Sequence, residues 1–74
     1  MTTTTFESSK QRTFELLEIK KGYRLLDVGC GTGEDVRAMA SLVGRTGSVI
    51  GIDRSEAMVA EAQKQTRSQV PIIN

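Results

Sequence analysis

One cysteine, no histidine and no apolar run of membrane-spanning length mark what this 74-residue sequence lacks. The lone Cys30 excludes an internal disulfide, and without histidine beside it a zinc cage is disfavoured. No stretch approaches the roughly 20 apolar residues needed to cross a bilayer. The N-terminus has no hydrophobic region of the signal-peptide kind. Charge of one sign is missing too, since ten basic residues against nine acidic ones leave a net charge of +1. That balance indicates neither nucleic acid nor a membrane as partner, and the expected location is the reducing cytoplasm. The small basic cluster Lys20, Lys21 and Arg24 lies close to Glu15 and Glu18 and reads as a solvated face. At this length there is at most one domain, and its core must rest on apolar packing alone, which is marginal for so few residues.

What is present is a regular alternation. Residues 1–5 are dominated by threonine without periodicity, which predicts a disordered, frayed end. A helix is expected over residues 6–20, from the spacing of Phe14 with Leu17 and of Leu16 with Ile19; Gly22 stops it. Residues 24–28 read as a strand centred on Leu25, Leu26 and Val28. A second helix begins near Glu34 and Asp35, whose carboxylates suit a positive helix N-terminus. Its apolar residues Val36, Met39, Ala40 and Val43 fall at i, i+3, i+4 and i+7, a single buried stripe. Gly44 and Gly47 bracket a turn into a second strand, residues 48–52, whose near-continuous apolar character predicts cover on both faces. Ser55 is the expected N-cap of a third helix with Met58, Val59 and Ala62 facing inward. Val70, Pro71, Ile72 and Ile73 read as the start of a third strand, with Pro71 at its beginning or edge. Strands alternating with helices imply parallel pairing through right-handed crossovers. The fold class expected is α/β, a partial Rossmann-like parallel sheet.

The informative segment is Leu25-Leu26-Asp27-Val28-Gly29-Cys30-Gly31-Thr32-Gly33. A strand, a glycine-rich turn and a helix N-terminus in succession form a nucleotide-binding geometry, because side chains on the turn would block close backbone approach. Triphosphates require a lysine after the last glycine, and here Glu34 and Asp35 follow Gly33. Dinucleotides require a third glycine where this chain has Glu34, and two carboxylates beside a pyrophosphate would repel it. S-adenosylmethionine carries no phosphate and bears sulfonium and ammonium groups, so acidic residues near the loop favour it. Asp27, just before the first glycine, can orient the ammonium end directly or through water.

Residues 25–33 resemble motif I of the class I S-adenosylmethionine-dependent methyltransferases. Residues 47–58, Gly-Ser-Val-Ile-Gly-Ile-Asp-Arg-Ser-Glu-Ala-Met, resemble the second-strand segment of the same family. The likeness runs over residues 22–62. It implies that Gly29 and Gly31 line the methionine portion of the cofactor with backbone, with Cys30 and Gly33 completing the loop site. It also implies that Asp53 accepts hydrogen bonds from both ribose hydroxyls and that Arg54 and Met58 lie near the adenine. Plainer readings remain open: Asp53 as a helix N-cap alone, Asp27 as a structural residue bonding loop amides, Met58 as core packing. Cys30 is set aside as a nucleophile, since no histidine activates it and a slot between two glycines tolerates a small residue.

In the resembled family, the groups that hold the methyl acceptor come from later strands, so no catalytic residue is assigned. Residues 6–74 are expected to be the N-terminal, cofactor-binding half of a longer enzyme, inactive alone. Residues 43–47 followed by the Gly51 strand resemble small-molecule methyltransferases such as those of quinone biosynthesis, which implies a small-molecule acceptor. The alternative is a stand-alone half-domain that binds cofactor or self-associates without catalysis. Exposed apolar strand faces predict at least a dimer, with Val49, Ile50, Ile52, Val70, Ile72 and Ile73 as the surface.

Overall fold

The structure, a computed structural model, describes residues 3–7 and 19–74. The elements are β1 (Thr3–Glu7), β2 (Arg24–Val28), α1 (Glu34–Val43), β3 (Ser48–Ile52), α2 (Glu56–Gln65) and β4 (Ile72–Ile73). They form one four-stranded sheet in the order β1-β2-β3-β4, every pair parallel. The α/β Rossmann-like expectation therefore holds, with the third predicted strand present as the short β4.

Local chemistry accounts for both helices. In α1, Val36, Met39 and Val43 are buried and Ala40 packs against the same core, which is the stripe read from the sequence. Gly33 begins it in the left-handed region without a side-chain cap, and Glu34 and Asp35 in the first turn meet the positive helix end. Gly44 ends it at φ 67°, donating its N–H to the Ala40 carbonyl. In α2, the Ser55 hydroxyl accepts from the Met58 amide at 3.3 Å, satisfying one orphan donor of the first turn. Val59 and Ala62 point inward as expected, but Met58 is 45% exposed and does not. Residue 58 lies about 100° round the helix from Val59 and about 40° from Ala62, at the edge of the buried face.

The core lies between the helices and one sheet face. Leu25, Asp27, Val49, Gly51 and Ile72 are buried towards α1 and α2, together with Ile19. Their neighbours Leu26, Val28, Ile50, Ile52 and Ile73 alternate to the other side and are half-buried or exposed. The apolar run of β3 predicted cover on both faces; among the described residues the two helices cover only one, and Ile50 is exposed.

The N-terminus departs from expectation. Thr3–Glu7 is a strand, not a frayed end leading into a helix at Phe6. Threonine is β-branched and suits a pleated surface, and pairing of Thr3 with Arg24 through Glu7 with Val28 supplies its backbone partners. A partner some 20 residues away leaves no periodic trace in the threonine run itself. The predicted helix otherwise falls on residues 8–18, outside the described residues.

Candidate functional site

The carboxyl ends of β2 and β3 meet at one point, and the chain makes its sharpest turns there. Gly29, Gly31 and Gly33 all have positive φ, at 76°, 56° and 86°. Gly29 and Cys30 both donate their N–H to the Ile52 carbonyl, at 2.7 and 2.9 Å, so the loop is pinned to the end of the neighbouring strand. Gly33 closes the turn by donating to the Cys30 carbonyl.

The three glycines do different work. A Cβ on Gly31 would meet no atom of the described residues within 4 Å, so among them this position is open. A Cβ on Gly33 would lie 3.1–3.3 Å from Arg37, Ala62 and Thr66, so this glycine serves close packing of the loop against α2. Gly33 thus carries a packing role besides its expected place in the loop site. Gly29 bonds back to β3 through its amide.

Asp53, immediately after β3, reaches across to this loop. Its Oδ2 accepts the Gly31 N–H at 2.9 Å and its Oδ1 accepts the Ser55 N–H at 2.8 Å. The Ser55 and Gly31 amides hold the carboxyl below its ordinary pKa, outweighing a small opposing effect of burial. Asp53 is thus ionised at neutral pH, and each oxygen keeps a further lone-pair direction for another donor. Asp53 as a mere N-cap is ruled out, because Ser55 caps α2. Arg54 and Met58 stand exposed on the same stretch.

Two predicted residues sit elsewhere. Asp27 is wholly buried on the helix-facing side of β2, so direct contact with a ligand needs an exposure it does not have. The Cys30 side chain is buried in the core, its Sγ 3.0 Å from where a Cβ on Gly51 would be. Cys30 contributes to the loop through its backbone and through its thiol, which donates to the Gly31 carbonyl at 3.7 Å.

Sequence reasoning missed three supporting residues. Arg37 donates from Nη1 to the Thr32 carbonyl at 2.9 Å and to the Thr66 hydroxyl at 3.3 Å, tying the glycine loop to the end of α2. Asn74 donates from Nδ2 to the carbonyls of Asp53 and Arg54, at 2.8 and 3.0 Å. Gly51 leaves room for Cys30, Val36 and Ile72, whose atoms would all lie within about 3.0 Å of a Cβ there. A glycine inside an apolar strand is the usual sign of such an approach, and only Gly51 carried a readable signal.

A cavity of about 730 Å³ lies between the C-terminal parts of the two helices, bordered by Arg37 and Thr66. Arg37, Arg45, Thr66 and Arg67 line it, with no acidic or cysteine side chain among the described residues. Its hydroxyls, Ser41 and Thr66, have no carboxylate or thiolate beside them in that lining, and it is not the candidate site.

Comparison with known proteins settles the class. A family described as "Methyltransferase domain" matches residues 19–72. This chain belongs to the methyltransferase domain family. Among curated relatives, the Bacillus licheniformis demethylmenaquinone methyltransferase is 37% identical over 67 residues, covering 88% of this chain and 29% of that protein. The Staphylococcus aureus enzyme of the same name is 41% identical over 59 residues, covering 80% and 24%. An uncharacterised 37.1 kDa protein from a Streptomyces fradiae transposon is 39% identical over 67 residues, covering 90% and 19%. The solved structure of a protein-L-isoaspartate O-methyltransferase superimposes with a TM-score of 0.68 at 27% identity, covering 80% of this chain and 20% of that one. The methyltransferase domain described here thus spans between about a fifth and three tenths of the length of these relatives. Among the described residues of this methyltransferase domain, no helix is long and apolar enough to cross a membrane.

Proposed function

We propose that this chain is the cofactor-binding segment of an S-adenosylmethionine-dependent methyltransferase whose full-length form acts on a small-molecule acceptor. The observation that carries the reading is the union of Gly31 and Asp53. An open glycine surface is bonded directly to an ionised carboxylate that retains acceptor capacity. Those two features fit a ligand with a vicinal diol and a flat or cationic portion. They do not fit a phosphate chain, because Glu34 and Asp35 occupy the helix start where a phosphate would need N–H groups free of negative neighbours.

The chain's own residues have limited, definable tasks. Gly31 admits close approach, and Asp53 accepts from ribose hydroxyls. Arg54 and Met58 are free to pack on the adenine from the exposed side. Gly29, Cys30 and Gly33 fix the loop through their amides. When bound, S-adenosylmethionine supplies a methyl group on a positively charged sulfur, already activated for displacement. Residues that align an acceptor belong, on this reading, to further parts of the protein, since alignment is the main catalytic requirement. The small-molecule acceptor is supported by the relatives named for demethylmenaquinone, which exceed in identity the neighbour named for protein L-isoaspartate.

Calorimetry with S-adenosylmethionine, its demethylated product S-adenosylhomocysteine, and NAD tests the proposal. Both sulfur ligands are expected to bind more tightly than NAD. Tighter binding of NAD would overturn the assignment.

A further inference from the structure

Among the described residues, positive and negative charge separate along the strands. Glu34, Asp35, Asp53 and Glu56 lie at the carboxyl ends, around the glycine loop, whereas Lys21, Arg24, Arg45 and Arg67 lie at the amino ends. The cavity between the C-terminal parts of α1 and α2 draws on the positive end. Arg37, Arg45 and Arg67 all line it, and no carboxylate of the described residues does. Like charges sharing one cavity repel, and an anion among them removes that cost.

The other duties of these arginines leave that capacity unused. Arg37 bonds the Thr32 carbonyl and the Thr66 hydroxyl through Nη1 alone, and its remaining guanidinium N–H groups are further donors. Arg45 and Arg67 are exposed and have no hydrogen-bond or ion-pair partner among the described residues. A cation just beyond a helix answers the negative helix end, and Arg45 and Arg67 follow α1 and α2 in that way. That role accounts neither for Arg37, which lies near the start of α1, nor for a lining without a carboxylate. The rest of the lining suits a small molecule with a charged head and an apolar body. The Ser41 and Thr66 hydroxyls add neutral donors, and Val43, Val49 and Val70 supply an apolar wall. Its volume of about 730 Å³ falls within the range of small-molecule sites, about 300–1,000 Å³. A carboxylate brings one charge and fits one guanidinium fork, whereas a phosphate monoester brings three acceptor oxygens and nearly two charges.

We propose that the cavity lined by Arg37, Arg45 and Arg67 is a binding site for a small phosphate monoester with an apolar body. Both helical walls of the site belong to this chain. The glycine loop is a different place, where Glu34 and Asp35 disfavour a phosphate, so the site does not depend on the cofactor reading.

Calorimetric titration of the full chain with phenyl phosphate tests it, with benzoate and inorganic phosphate as companion probes. Phenyl phosphate should bind more tightly than benzoate, which lacks the second charge, and than inorganic phosphate, which lacks the apolar body. Arg45→Ala and Arg67→Ala should each weaken phenyl phosphate binding about 10- to 100-fold, the loss of a charge-assisted hydrogen bond. Lys64→Ala removes an exposed cation of α2 outside the lining and should leave the affinity unchanged. Circular dichroism of each variant separates lost binding from lost folding. Absence of saturable phenyl phosphate binding by the parent chain overturns the proposal. Undiminished binding by both folded arginine variants overturns it too, as does equal weakening by Lys64→Ala, which would mark general charge attraction. Benzoate or inorganic phosphate binding as tightly as phenyl phosphate overturns the ligand class.

Discussion

Gly31→Ala separates ligand lining from ordinary backbone need. Gly31 has φ 56°, a conformation that costs an alanine about 1–2 kcal/mol. Its added methyl would touch none of the described residues within 4 Å, so they add no steric cost. A loss of 1 kcal/mol lowers the melting temperature by roughly 4–8 °C in a domain of this size, so a fall of about 4–16 °C is expected. Gly22→Ala is the matched control: φ is 88°, the nearest atom to the new methyl is the Thr46 hydroxyl at 3.6 Å, and the residue precedes β2 at the far end of the strand. Both variants should melt lower by similar amounts. Only Gly31→Ala should lose ligand, because its methyl stands where the cofactor must approach; an overpacking cost of about 1–3 kcal/mol corresponds to roughly 5- to 150-fold in affinity. The paired assay is calorimetric melting with titration of S-adenosylhomocysteine. If Gly31→Ala binds as well as Gly22→Ala, Gly31 does not line the site and the reasoning from its open surface is refuted.

Three further outcomes are expected. Gly47→Ala should destabilise more than either glycine variant above, because its methyl would crowd the Tyr23 carbonyl at 2.6 Å and the Val43 side chain; urea unfolding at a cost no larger than Gly22→Ala would contradict this. Asp53→Asn should weaken S-adenosylhomocysteine binding roughly 10- to 100-fold by removing charge-assisted acceptance. Because the folded Asp53 carboxyl titrates below its ordinary 3.8, its contribution is present above about pH 4 and is lost as the pH falls through the lower folded value; the variant should melt with a shallower acid dependence, and an identical one would count against the two amide contacts. Arg37→Met should cost about 1–2 kcal/mol through its two hydrogen bonds and speed amide exchange at Gly33, whereas unchanged exchange would show that the tie to Thr66 does not hold the loop.

Much of this protein was legible in order. The stripe Val36, Met39, Ala40 and Val43, the Ser55 cap and the strand bounds 24–28 and 48–52 are local matters of periodicity, capping and turn chemistry, and each stands as read. The glycine spacing with Asp53 about 20 residues on also announced a site, because one helix and two turns carry the chain between adjacent strand ends. Tertiary structure alone decided the rest. It turned the threonine run into an edge strand by offering β2 as partner. It set Gly31 in the open and Gly33 in close packing, which depends on where α2 lies and not on the spacing. It sent Cys30 and Asp27 inward and Met58 outward. And it left Ile50 bare, since an apolar strand states that a face wants cover, while the direction of the crossovers determines which face receives it.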